Sequence, residues 1–98
     1  MTVTVHHDAA KQRFVADFEG QRCVCDYRLF EHDGEVMLTN TYVPPALRGH
    51  GVAAELVAAA LAWAAQQGLK VVPACSYVRS YMRRHPATQG LLAAGDSL

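Results

Sequence analysis

The chain has 98 residues, 51% of them hydrophobic and 18% charged, with nine basic residues balancing nine acidic ones. Length of this order favours one compact domain over residues 1–98, and the composition excludes a disordered chain. A formal net charge of zero gives no ground for nucleic acid or an anionic membrane surface as a partner.

At the N-terminus, MTVTVHHDAAKQ has no basic segment followed by an apolar one, so no secretory leader is expected. TVTVH, beginning at Thr2, alternates weakly and reads as a first strand, with His6 and His7 exposed near the terminus. In RFVADFE, Phe14, Ala16 and Phe18 share one face, the period-two pattern of a half-buried strand. A turn at Glu19-Gly20 leads to RCVCDYRLFE, Asp33-Gly34 signals a hairpin, and EVMLTNTYV completes a meander of four antiparallel strands. Cys23 and Cys25 fall on one face of their strand and read as core thiols. No second cysteine pair has zinc-like spacing, so no metal site is expected. The odd cysteine total carries no disulfide framework and points to a reducing cytoplasm.

After Pro44-Pro45 the texture changes. Residues from about Gly51 to Gln67 predict a helix with Leu56, Val57, Ala60, Leu61 and Ala64 on one stripe and Gly68 as its C-terminal cap. The longest apolar run, Leu56 to Ala65, is too short to span a bilayer, so no membrane partner is expected. LKVVPAC reads as a buried strand, and SYVRSYMRRH as a second helix stopped by Pro86. The tail from Ala87 carries little signal beyond a last helical turn. A meander followed by strand, loop, helix and strand is an α+β sandwich, and a parallel return would be right-handed.

The stretch ALRGHGVAAEL, Ala46 to Leu56, carries the chemistry. A helix start normally bears Ser, Thr, Asp or Asn as cap; this one bears glycines and an arginine. Around Gly49, Gly51 and Ala53 an anion can approach the backbone, where first-turn amides and the helix dipole favour negative charge. Arg48 adds a guanidinium fork. The competing reading is an ordinary helix entry with flexible glycines.

RGHGVA matches the pattern Arg/Gln-x-x-Gly-x-Gly/Ala through Arg48, Gly51 and Ala53, after a strand and before a helix. The chain thereby resembles the GNAT superfamily of acetyl-CoA-dependent N-acetyltransferases. It is most similar to a small single-domain, acetyltransferase-like subfamily, through VPPALRGHGVA, KVVPACSYV and YMRRHP, which together cover about Met37 to Pro86. The resemblance implies a mixed sheet of four antiparallel strands plus one parallel strand, packed by two main helices. It also implies that the loop amides of Gly49, His50, Gly51, Val52 and Ala53, with Arg48, hold the pyrophosphate of coenzyme A. The pantetheine arm would lie in a splay between strands ending near Val43 and Ala74, paired with the backbone of Tyr42 and Val43. Tyr81 and Arg84 join the implied cofactor contacts, with the Arg83-Arg84-His85 cluster facing either the 3′-phosphate or adenine end, or solvent at the helix end.

Larger members of the superfamily place Asn at the end of this strand and a Tyr acid in the following helix. Here those positions carry Cys75 and Met82, and Tyr81 lies one residue off. Cys75 sits just before a helix start, where a thiolate feels the positive end of the dipole, and Arg79 could assist it. Cys75 is therefore a candidate catalytic residue, against the plain reading of a structural cysteine. Asn40, where the subfamily often has His, is the second candidate; it cannot serve as a base but could orient the acyl carbonyl or a water. His50 either contacts phosphate or faces solvent, and Trp63 and Tyr77 read as core or groove wall.

Two functions follow from the resemblance. One is acetyl transfer from acetyl-CoA to a primary amine. The chain lacks room for the two helices that larger relatives insert after their first strand, so the acceptor side should be open and suit a protruding amine, such as a protein lysine or a polyamine. The other is a coenzyme A or acyl-CoA binding module without turnover, favoured by the absent Tyr and by Asn40.

Overall fold

A computed structural model describes residues 3–98. Five strands form one sheet in the order β1 (His6–Asp8), β2 (Arg13–Phe18), β3 (Gln21–Phe30), β4 (Glu35–Tyr42) and β5 (Lys70–Pro73). The first four pair antiparallel and β5 lies parallel to β4. The expected α+β mixed sheet is what the chain forms. Its first strand lies later than TVTVH suggests: pairing with β2 begins at His6, and Thr2 lies outside the described residues.

The β2–β3 turn puts Glu19 and Gly20 at φ 52° and 76°, the left-handed pair that matches the twist of a two-residue hairpin. The next connection is not a two-residue hairpin. Glu31–Asp33 make one turn of 3-10 helix, closed by Gly34 at φ 64° with its N–H donating to the Glu31 carbonyl at 3.1 Å.

Helix α1 (Val52–Gln66) packs across β2, β3, β4 and β5. Its expected stripe is the buried one: Leu56, Val57, Ala60 and Ala64 are 0% exposed and Leu61 3%. The helix ends in a Schellman arrangement, with Gly68 (φ 69°) donating to the Ala65 carbonyl and Leu69 to that of Ala64. Helix α2 (Ser76–Arg84) packs on β4 and β5 beside α1, burying Val78 and Met82. The tail does more than its sequence suggests. Pro86–Leu91 turn as 3-10 helix, Leu92 bridges Val71 in parallel, and the Ala93 N–H donates to the Val71 carbonyl at 2.9 Å, so the outer edge of β5 is covered.

The sheet packs its core on one face, and on the other only Val24 is buried among the described strand residues. Phe14, Ala16, Cys23, Cys25, Tyr27, Val36 and Leu38 point into the core, while their neighbours Arg13, Val15, Asp17, Asp26 and Arg28 stay half-buried or exposed. Residues 9–12 alone join β1 to β2, so among the described residues no helix inserted there covers that face. His6 and His7 are exposed, as expected, yet His7 is held fast. Its ring stacks on Phe14 at 4.2 Å and meets the edge of Trp63 at 4.9 Å. A 2.6 Å hydrogen bond joins its Nε2 to the Tyr27 hydroxyl. Partial burial in this aromatic cluster lowers the His7 pKa, partly offset by Asp8.

Candidate functional site

Strand β4 carries an extra residue. Asp26 faces Asn40, but Tyr27 faces Leu38, so Thr39 has no register partner on β3, though its Oγ1 donates to the Asp26 carbonyl at 3.3 Å. Such a bulge bends its strand and shifts the alternation by one. Ahead of it Val36 and Leu38 point inward; beyond it Thr41 and Val43 take the inner side and Asn40 and Tyr42 the open one. Pairing of β4 with β5 stops at the same place, with Leu38 opposite Pro73. Pro73 has no N–H to extend the ladder. Past it, the Ala74 N–H turns back to the Val72 carbonyl, and the Cys75 N–H closes the fork on the Leu38 carbonyl, both at 3.0 Å. From Asn40 onward the strands diverge, and the β5-side edge of β4 has no strand against it among the described residues.

The loop leaving β4 borders this fork. Pro44 and Leu47 are buried, and Pro45–Leu47 form one turn of 3-10 helix. Gly49 and Gly51 then adopt φ 90° and 81°, values that branched or bulky residues avoid. A Cβ added at either would meet nothing within 4 Å, so the glycines answer a backbone requirement and leave the space above them open. Gly51 is the N-cap of α1 and offers no side-chain cap. The first intrahelical bond from this end is Glu55 N–H to the Gly51 carbonyl at 3.1 Å. Among the described residues, no acceptor meets the N–H groups from Gly49 to Ala54. Unpaired donors at the positive end of a helix are an arrangement able to receive an anion.

Arg48 donates its Nε to the Val43 carbonyl at 3.0 Å, tying loop to strand, and its terminal nitrogens have no acceptor among the described residues. With Thr41, Val43, Leu47, Gly49, Gly51, Val52 and Ala53 it lines a groove of about 480 Å³, whose far wall is Tyr77 and Arg84 of α2. Tyr77 and Arg84 are seven residues apart, two helical turns on one face. Of the residues expected to hold a cofactor, the groove thus gathers Val43, Arg48, Gly49, Gly51, Val52, Ala53 and Arg84.

Three of them, Tyr42, Tyr81 and His50, are not among its lining residues, and Tyr42 is exposed on the open face of the sheet. Tyr81 is buried beside α1, stacks on His85 at 3.9 Å, and borders a separate depression with Ala58, Leu61 and Leu91. Tyr81 borders the α1 side, and Tyr77 is the tyrosine that lines the groove. His50 turns its ring to Phe18 at 5.6 Å rather than into the groove. Met82, at the superfamily's acid position, is fully buried.

Cys75 is not one of the groove's lining residues: it sits where the fork closes, as the half-buried N-cap of α2, and reaches the groove through Thr41, to whose Oγ1 its Sγ donates at 3.6 Å. Thr41 in turn donates to the Cys25 Sγ at 3.9 Å. Burial pushes the Cys25 thiol up to about 11, with the Thr41 hydrogen bond opposing and Cys75 and Asp26 adding to the rise. Arg79, expected to assist Cys75, is committed to the strand end: its Nη1 donates to the carbonyls of Pro73 at 3.0 Å and Ala74 at 3.3 Å. Asn40 is turned away from Thr41. Its Nδ2 donates to Asp26 Oδ2 at 3.1 Å, and Asp26 Oδ1 accepts from Arg13 Nε at 2.9 Å. Thr41 is the polar side chain the sequence reading missed, because alternation carried on from Leu38 points it outward.

A family model described as GCN5-related N-acetyl-transferase matches residues 13–91. Protein NATD1 of Gallus gallus is 34% identical over 93 residues, covering 91% of this chain and 82% of its own length. Protein NATD1 of Homo sapiens is likewise 34% identical over 93 residues, covering 91% and 80%, and Protein NATD1 of Danio rerio 30% identical over 89 residues, covering 89% and 80%. The forked sheet, the capless helix start beyond Arg48 and these matches together make the chain a member of the GCN5-related N-acetyltransferase family.

Proposed function

We propose that the chain transfers an acetyl group from acetyl-CoA to a primary amine. The observation that carries this reading is the set of unpaired N–H groups from Gly49 to Ala54, opening onto a groove that also presents Arg48, Arg84 and the free edge of β4. A pyrophosphate fits against these amides, since the donors need an acceptor and no Cβ fills the space. The β4 edge at Tyr42 and Val43 suits the amides of a pantetheine arm. Bound there, acetyl-CoA would supply an activated acyl thioester. The chain's own part is to fix that thioester in the fork, to present the Cys75 thiol at its inner end, and to leave the uncovered face of the sheet open to a protruding amine such as a lysine or polyamine. A cytoplasmic setting agrees with the thiols, and no helix is long and apolar enough to cross a membrane among the described residues.

The rival reading is a coenzyme A binding module without turnover. It is favoured by Met82 being buried in the core and by Asn40 being committed to Asp26, which leaves neither at the groove. Incubation with acetyl-CoA and a panel of amines, read by mass of the acetylated product, separates the two. Transfer that collapses in Cys75→Ala while coenzyme A still binds supports the enzyme. Absence of product on every amine, with binding intact, supports the module.

A further inference from the structure

We infer that Thr41 is a positioning residue for Cys75, the middle member of a reversible hydrogen-bond chain that ends on the buried thiol of Cys25. The inference builds on Cys75 working at the groove, but it concerns the state of that thiol and can be tested without any acyl transfer. The bulge at Thr39 turns the Thr41 hydroxyl inward, between a half-buried sulfur on one side and a fully buried one on the other. With Cys75 as a thiol, the chain runs one way: Cys75 S–H to Thr41 Oγ1 at 3.6 Å, and Thr41 O–H to Cys25 Sγ at 3.9 Å.

A hydroxyl is both donor and acceptor, and so is a thiol. When Cys75 loses its proton to water, the same three atoms can reverse direction. Thr41 then donates to the Cys75 thiolate, and Cys25 donates its S–H to Thr41. The reversal requires a far group that keeps its proton, and burial holds Cys25 in that state. Hydrogen bonds to charged acceptors are the stronger kind, so the chain favours the form of Cys75 that acts as nucleophile. Among the described residues no other side chain hydrogen-bonds the Cys75 sulfur. Arg79 of α2 spends Nη1 on the Pro73 and Ala74 carbonyls, Asp26 of β3 faces Arg13 and Asn40, and Arg48, Tyr77 and Arg84 line the groove without a hydrogen bond to Cys75.

The test is alkylation of Cys75 by iodoacetamide, in which the thiolate sulfur bonds to carbon and iodide leaves, followed by mass across pH. Thr41→Val keeps the shape and removes the hydroxyl. It should slow alkylation near neutral pH roughly tenfold and move the rate–pH profile to higher pH, whereas Thr41→Ser should stay within about twofold of the parent chain. A profile for folded Thr41→Val that overlays the parent would overturn the inference. Should Thr41→Val fail to fold, infrared spectra of the unaltered chain give the second reading. As the Cys75 S–H band vanishes with rising pH, the Cys25 band should move to lower frequency as it becomes a donor; a Cys25 band that does not move would overturn the inference. A Thr41 effect on alkylation in a chain that acetylates no amine would uphold the inference and count against the transferase reading alone.

Discussion

Gly51 meets a backbone requirement and leaves the space beside it open. Its φ of 81° starts α1 without a capping side chain, and the space above it is open. Gly51→Ala should therefore fold, at a loss of about 1–2 kcal/mol from left-handed strain, while coenzyme A binding weakens more than stability does; denaturant midpoints beside a binding titration separate the effects. The cysteines divide by burial. Cys23 and Cys25 are 0% exposed, so iodoacetamide on the native chain should label Cys75 and reach the other two only on unfolding, as peptide mass mapping would show. That Arg48, Gly51 and Ala53 come together at one groove was legible, because small residues and a cation before a helix are a local backbone signal. Thr41 was not legible. Its inward placement depends on Thr39 having no register partner on β3, and a one-residue bulge leaves no mark on the alternation of EVMLTNTYV.

At the scale of elements, helix α1 was readable almost to the residue, because its apolar stripe and the Gly68 stop are both local signals. Leu56, fully buried against the sheet, is its keystone. Leu56→Ala should cost about 2–5 kcal/mol, seen as a lower urea midpoint with an unchanged slope. What was not readable depends on partners far along the chain. The first strand is set by where β2 offers a mate, and the tail pairs with Val71, which no periodicity in LLAAGDSL announces. The fork of β4 and β5 is half-legible. Pro73 warns that the ladder must stop, but the bulge that opens the other arm does not show.

For the whole molecule, the His7 cluster ties the edge strand β1 to β2, β3 and α1 through Phe14, Tyr27 and Trp63. Its pKa is lowered from 6.5 in the fold, so the unfolded chain binds the proton more readily. The His7 contribution to stability is then complete above 6.5 and is lost as pH falls below 6.5 toward the folded-state value. Thermal melts should show the parent chain losing stability on acidification through this range relative to His7→Phe, which stacks but does not titrate. The one-sided sheet and the capless helix beside the fork are properties of the assembled molecule, and they make the groove a thioester site only if the free amides hold a diphosphate. Calorimetric titration of the folded chain with coenzyme A and with pantetheine, which lacks the diphosphate, is the most direct measurement. Coenzyme A should bind saturably and roughly a hundredfold tighter than pantetheine, the worth of about two charge-assisted hydrogen bonds; no heat with coenzyme A, or equal affinity for both, would contradict it.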